Sequence, residues 1–144
     1  MIFAHREREG IALLERATTL SPHDPHIWTF HAVRAMAHVS LGEYEEALQL
    51  SRKAVRHPTA PYWPYAMLVA CLGLLERDQE AASAAQELLV RMPGYSLART
   101  WADYVEFFHA PESLARRLME GQQRAGIPGT PDVAMEGVPA QSFG

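Results

Sequence analysis

Between residues 41 and 58 the chain alternates apolar and polar positions with the period of a helix lying on a surface. After Leu41-Gly42, which closes a preceding helix, Tyr44, Ala47, Leu48, Ser51, Ala54 and Val55 fall on one stripe, and Glu45, Glu46, Gln49, Arg52, Lys53 and Arg56 fall opposite. Pro58 ends the segment, because it lacks a backbone N–H and pushes its predecessor out of the helical region. Ala47 and Ala54, two turns apart, leave room for a neighbouring helix to come close, and Tyr44 fills the gap at one end. A stripe of this kind has to be buried against another element, so the segment predicts at least a helix pair.

The same device recurs on both sides. A small residue is followed seven positions on by Ala or Leu, and four or five further on by Pro: Gly10, Ala17, Pro22; Ala47, Ala54, Pro58; Ala81, Leu88, Pro93. The prolines stand 36 and 35 residues apart, a period in the range of helical repeat arrays. The first helix is predicted over 6–20, with Leu13, Leu14 and Ala17 inward; Gly10 in its interior costs about 1 kcal/mol relative to Ala. The second runs from Pro25, behind an Asp24 cap, to Leu41. It carries two apolar ridges, Trp28-Ala32-Ala35-Val39 and Phe30-Val33-Ala37-Leu41, and a narrow polar stripe of His31, Arg34 and His38.

The next helix, from Pro61 or Pro64 to Glu76, is apolar on every side and is expected to be covered all round. The cover is either the C-terminal helices of the same chain, a second copy, or a partner peptide. Asp78 is placed to cap a helix over 79–92 with Ala81, Ala85, Leu88 and Met92 inward. Ser96 is placed to cap one over 97–108, which buries Leu97, Trp101, Tyr104, Val105 and Phe108. A last helix over 112–124 turns Leu114, Ala115, Leu118 and Met119 inward and Arg116, Arg117, Glu120, Gln123 and Arg124 outward, and Gly126 with Pro128 stops it. From Gly129 to Gly144 there is no periodicity, and this stretch is expected to be disordered. The alternative is that Val133–Phe143 folds back as a short extended ligand into a groove of its own or a neighbouring chain.

Composition narrows the function. Thirteen Lys and Arg against 17 Asp and Glu, interspersed over 144 residues, make no basic patch, so no nucleic-acid contact is expected. Cys71 is the single cysteine, which excludes an intrachain disulfide framework and reads as a small buried hydrophobe. The uncharged run from Pro58 to Leu75 is shorter than the roughly 20 residues of a spanning helix and is broken by prolines, so no membrane association is expected. Met1-Ile-Phe-Ala is too short for a secretory leader, and a cytoplasmic setting is the expectation. No Gly-rich phosphate loop, Gly-x-Ser-x-Gly elbow or His-Glu-x-x-His occurs. His23 with His26, and His31 with His38, do not bring the three or four converging ligands that zinc needs. Glu45, Glu46 and Glu106 read as solvated. No catalytic residue, metal or cofactor is expected, and the chain is not expected to be an enzyme.

The run Leu41-Gly-Glu-Tyr-Glu-Glu-Ala47 with Ala54, Pro58 and the Trp28-to-Ala32 spacing resembles the tetratricopeptide repeat. From Pro93-Gly-Tyr-Ser-Leu97 to Arg124-Ala-Gly-Ile-Pro128 the chain resembles more narrowly the ends of bacterial tetratricopeptide regions that follow class III adenylate cyclase or winged-helix DNA-binding domains. The resemblance spans 6–128. It departs where the second repeat is longer by about a turn, where Ser51 replaces an aromatic residue, and where Arg77-Asp78 replaces Gly-Tyr. It implies an all-α fold, a right-handed α-α superhelix over residues 1–128 that begins inside a repeat and ends in capping helices, with 129–144 as a tail. It also implies that the first helix of each pair lines a concave groove. His31, Arg34, His38, Tyr62, Tyr65 and Val69 would then contact a protein or peptide, and truncating Arg34 would leave stability nearly unchanged. The expected function is a non-catalytic protein-interaction module. The alternatives are a homodimer closing the open faces of the first helix and of the helix over 62–75, or the regulatory C-terminal region of a larger signalling or transcription protein.

Overall fold

A computed structural model of the chain describes residues 3–129, with side chains from residue 6 onward. Regular structure among the described residues is all helical, with no strand. The order is α1 (Phe3–Leu20), α2 (Ile27–Ser40), α3 (Tyr44–Arg56), α4 (Tyr62–Leu74), α5 (Asp78–Arg91), α6 (Leu97–Trp101) continued by a π-helical segment (Ala102–Phe107), and α7 (Glu112–Ala125). The predicted all-α class holds, and each predicted helix is present within a few residues of its expected ends. The tail from residue 130 on, with its Val133–Phe143 segment, lies outside the described residues. The backbone gathers into two compact units that divide between Leu68 and Val69, inside α4.

In the first unit α1 packs on α2 and α2 on α3. Ala32, Ala35 and Val39 of α2 and Ala47, Leu48 and Ala54 of α3 are fully buried, so the small residues sit where the spacing placed them. Ser51 is equally buried and its hydroxyl donates to the Ala47 carbonyl at 2.8 Å. It brings a satisfied polar group and little volume to a position where an aromatic ring would hold the helices apart. Leu50, off the predicted stripe, is buried as well. Between α2 and α3, Gly42 takes φ 77° and the Glu43 N–H donates to the His38 carbonyl at 2.8 Å, which closes α2 in a Schellman turn. The same turn recurs 34 residues on, where Glu76 takes φ 59° and the Arg77 N–H donates to the Leu72 carbonyl. Gly42 thus corresponds to Glu76, one position earlier than the sequence comparison paired it.

In the second unit α7 packs on α5, on α6 and on the π-helical segment. It also crosses the C-terminal half of α4 so closely that the backbones nearly touch. A Cβ on Gly73 would lie 1.9 Å from the Gly121 carbonyl oxygen, and one on Gly121 would lie 2.2 Å from that of Ala70. Only glycine fits at either position. Beside the crossing, Thr100 donates its one hydroxyl proton to Gln122 Oε1 at 2.6 Å, so the Tyr95 hydroxyl, 2.7 Å away, is the donor to Thr100. All three side chains are buried. Gly126, at φ 107°, terminates α7 as predicted, and the Pro128 carbonyl accepts the Leu97 N–H that opens α6.

Three expected details differ. Asp78 and Ser96 make no side-chain cap; α5 begins at Asp78 itself. Asp24 stands before α2 and accepts the His26 N–H at 2.7 Å in an Asx turn. The helix expected over 97–108 widens after Trp101, where the Phe108 N–H reaches five residues back to Asp103. The wider turn buries Tyr104, leaves Val105 and Phe108 half-buried and turns Phe107 out to solvent.

Gly73→Ala and Gly121→Ala are each expected to lower stability by about 1–3 kcal/mol or more, since backbone has to move to admit a methyl group. Gly10→Ala, whose Cβ would meet nothing within 4 Å, is expected to raise stability by about 0.5–1 kcal/mol. Thermal unfolding of the three variants checks this, and equal shifts in all three would contradict the crossing.

Candidate functional site

The predicted groove residues on α2 are largely engaged inside the first unit. His38 Nδ1 lies 2.8 Å from Glu43 Oε1, and the same carboxylate takes both terminal nitrogens of Arg8 from α1. Glu43 thus holds α1 and α2 against the turn that follows α2. The Arg8 hydrogen bonds, and then the one to His38, hold the Glu43 carboxyl below its ordinary range. Arg34 Nη2 donates to Glu15 Oε2 on α1 at 3.1 Å, and the Arg34 side chain is only 14% exposed. Its expected place on an open surface is corrected, because α1 lies over it, and its truncation is now expected to lower stability.

His31 is 9% exposed, and its Nδ1 is buried without a hydrogen-bond partner among the described residues, as is Arg34 Nε. Burial pushes the His31 imidazole below its ordinary value, and the positive charges of Lys53 on α3 and Arg34 on α2 push it further the same way. Folding therefore disfavours protonation of His31.

Of the positions predicted on α4, Tyr65 is half-buried and its hydroxyl donates to the Val55 carbonyl on α3 at 3.2 Å. Tyr62 is half-buried near the start of the helix. Val69 belongs to the second unit and is 0% exposed, so it is withdrawn from the groove. Pattern reading missed the pairing of Trp28 with Trp63, whose rings meet edge-to-face at 5.8 Å and are both half-buried. The signal available for it was the presence of two indoles on helices of one unit.

Two of the clefts on the second unit are lined by charged side chains. One, of about 280 Å³, lies over the glycine crossing between Leu74, Glu76, Glu120, Gln123 and Arg124. Its one cation, Arg124, is already bonded to Asp78 and Glu76. The other, of about 310 Å³, runs beside the π-helical segment between Arg99, Asp103, Glu106 and Phe107, and there Arg99 is paired with Asp103. Neither brings together a nucleophile, a base and an oxyanion donor. No three His, Cys, Asp or Glu among the described residues are grouped to hold a metal, and Cys71 is buried. No described helix is long and apolar enough to cross a membrane. The chain matches no family model, no curated protein and no solved structure.

The depressed His31 sets a pH dependence with a definite sign. Unfolded His31 binds a proton near pH 6.5, whereas folded His31 binds it only at lower pH, so its contribution is complete above about pH 6.5 and is lost as the pH falls below it. Denaturant midpoints are expected to decline from about pH 7 to about pH 5, and to decline less in His31→Gln. Equal declines in the two proteins would contradict the claim that folding disfavours protonation of His31.

Proposed function

We propose that the chain is a non-catalytic protein-interaction module, a right-handed tetratricopeptide-like array of helix pairs. Its first unit holds a protein segment beside α2 and the N-terminal end of α4. The observation that carries the reading is the group of half-buried aromatic side chains Trp28, Tyr62, Trp63 and Tyr65 in that unit. Such side chains combine a rigid apolar body with a polar tip. They lose little entropy when covered, and they are the residue types that most often anchor protein interfaces. The two Schellman turns 34 residues apart and the fully buried small residues of α3 support the repeat architecture.

On this reading binding is by shape and burial. His38, Arg34 and Glu43 contribute by fixing α1 against α2, and Tyr62 is the residue whose apolar face is offered to the segment. Panning a random peptide display library against the immobilised chain is expected to return peptides with a shared apolar consensus. Their affinity is expected to drop at least about tenfold on Tyr62→Ala, with the unfolding midpoint little changed. A library that yields no consensus, or peptides indifferent to Tyr62→Ala, would contradict the reading.

A further inference from the structure

α1 carries two faces of different character. The side with Glu7 and Ile11, both buried, packs on α2. A second row, Gly10, Leu13, Ala17 and Leu20, runs along the helix at alternating spacings of three and four, the spacing of a coiled-coil seam. Leu13 is 61% and Leu20 78% exposed. Gly10 stands in the middle of this helix although a Cβ there would meet nothing within 4 Å. Packing among the described residues therefore gives no reason for glycine, in contrast to Gly73 and Gly121. Glu9 and Arg16 flank the row on one side, Arg16 without an ion pair among the described residues.

We propose that this row is a self-association surface on which α1 of a second copy of the chain lies antiparallel. A two-fold axis crossing α1 near residue 12 makes Gly10 and Leu13 of the row complementary between copies and sets Ala17 opposite Arg6. Leu13 of one copy then falls on the vacant space over Gly10 of the other, and Gly10 receives the other's Leu13. The same axis sets Glu9 of each copy beside Arg16 of its mate, which matches opposite charges along the flank. A parallel arrangement would stack Leu13 on Leu13 and Arg16 near Arg16, leaving the glycine unused and the charges opposed. The helix interior glycine, costly in the monomer, thus becomes the receiving site for a knob. The surface is separate from the α2 and α4 residues of the proposed binding site and does not depend on that reading.

A single helix pair buries less than the roughly 1,600 Å² of a standard interface, so the association is weak and reversible. Sedimentation of the full chain from micromolar to millimolar concentration tests it. The weight-average mass is expected to climb toward twice that of the monomer. Arg16→Glu is expected to weaken association by about tenfold, and the exchanged pair Glu9→Arg with Arg16→Glu to restore it. Leu13→Ser is expected to abolish association while the helical circular dichroism stays unchanged. A monomer at every concentration would overturn the proposal. So would a dimer indifferent to Leu13→Ser, or an exchanged pair that associates no better than Arg16→Glu alone.

Discussion

A helix without a polar face can exist in water only if other parts of the protein cover it, and α4 imposes that condition on the chain. From Ala66 to Gly73 nearly every residue is buried, and Met67, Val69 and Leu72 each contribute on the order of 1.5–3 kcal/mol when fully removed from solvent. Its N-terminal half meets the first unit through the Trp28–Trp63 pair and the Tyr65 hydroxyl on Val55. Its C-terminal half meets the second through the glycine crossing with α7. The chain's own residues thus cover most of α4 from Ala66 to Gly73.

Covering α4 leaves the units stabilised by different means. In the first, small residues let α2 and α3 approach, and one carboxylate, Glu43, links a cation on α1 to an imidazole on α2. In the second, glycines face each other across a crossing, and a three-member hydrogen-bond chain from Tyr95 through Thr100 to Gln122 sets the approach of α7. The Glu43–His38 contact and the Tyr95–Thr100–Gln122 chain consequently serve assembly.

Periodicity made the helices legible, because stripes such as Tyr44-Ala47-Leu48-Ser51 have one geometric solution. Termination by Gly42, Gly126 and the prolines was legible for the same reason, as left-handed or donor-free positions admit few residues. The site was less legible. His31, Arg34 and His38 share a polar stripe in the sequence, but their partners Glu15 and Glu43 come from elsewhere in the chain, and helical spacing cannot reveal a side chain's distant partner. A stripe of charge looks the same whether water or another helix lies over it. Val69 was drawn in by its place on α4, where a helix apolar all round gives no hint of which side is innermost. The π-helical turn after Trp101 left no pattern that separates it from an α-helix, so the outward turn of Phe107 could not be anticipated.

Native-state hydrogen exchange of α4 tests the account most directly, since a helix covered on all sides can expose its amides only when the surrounding structure opens. The amides of Met67 to Gly73 should be among the slowest in the chain, exchanging with the free energy of global unfolding. Exchange of these amides as fast as those at the ends of α1 would contradict the claim that burial of α4 organises the fold.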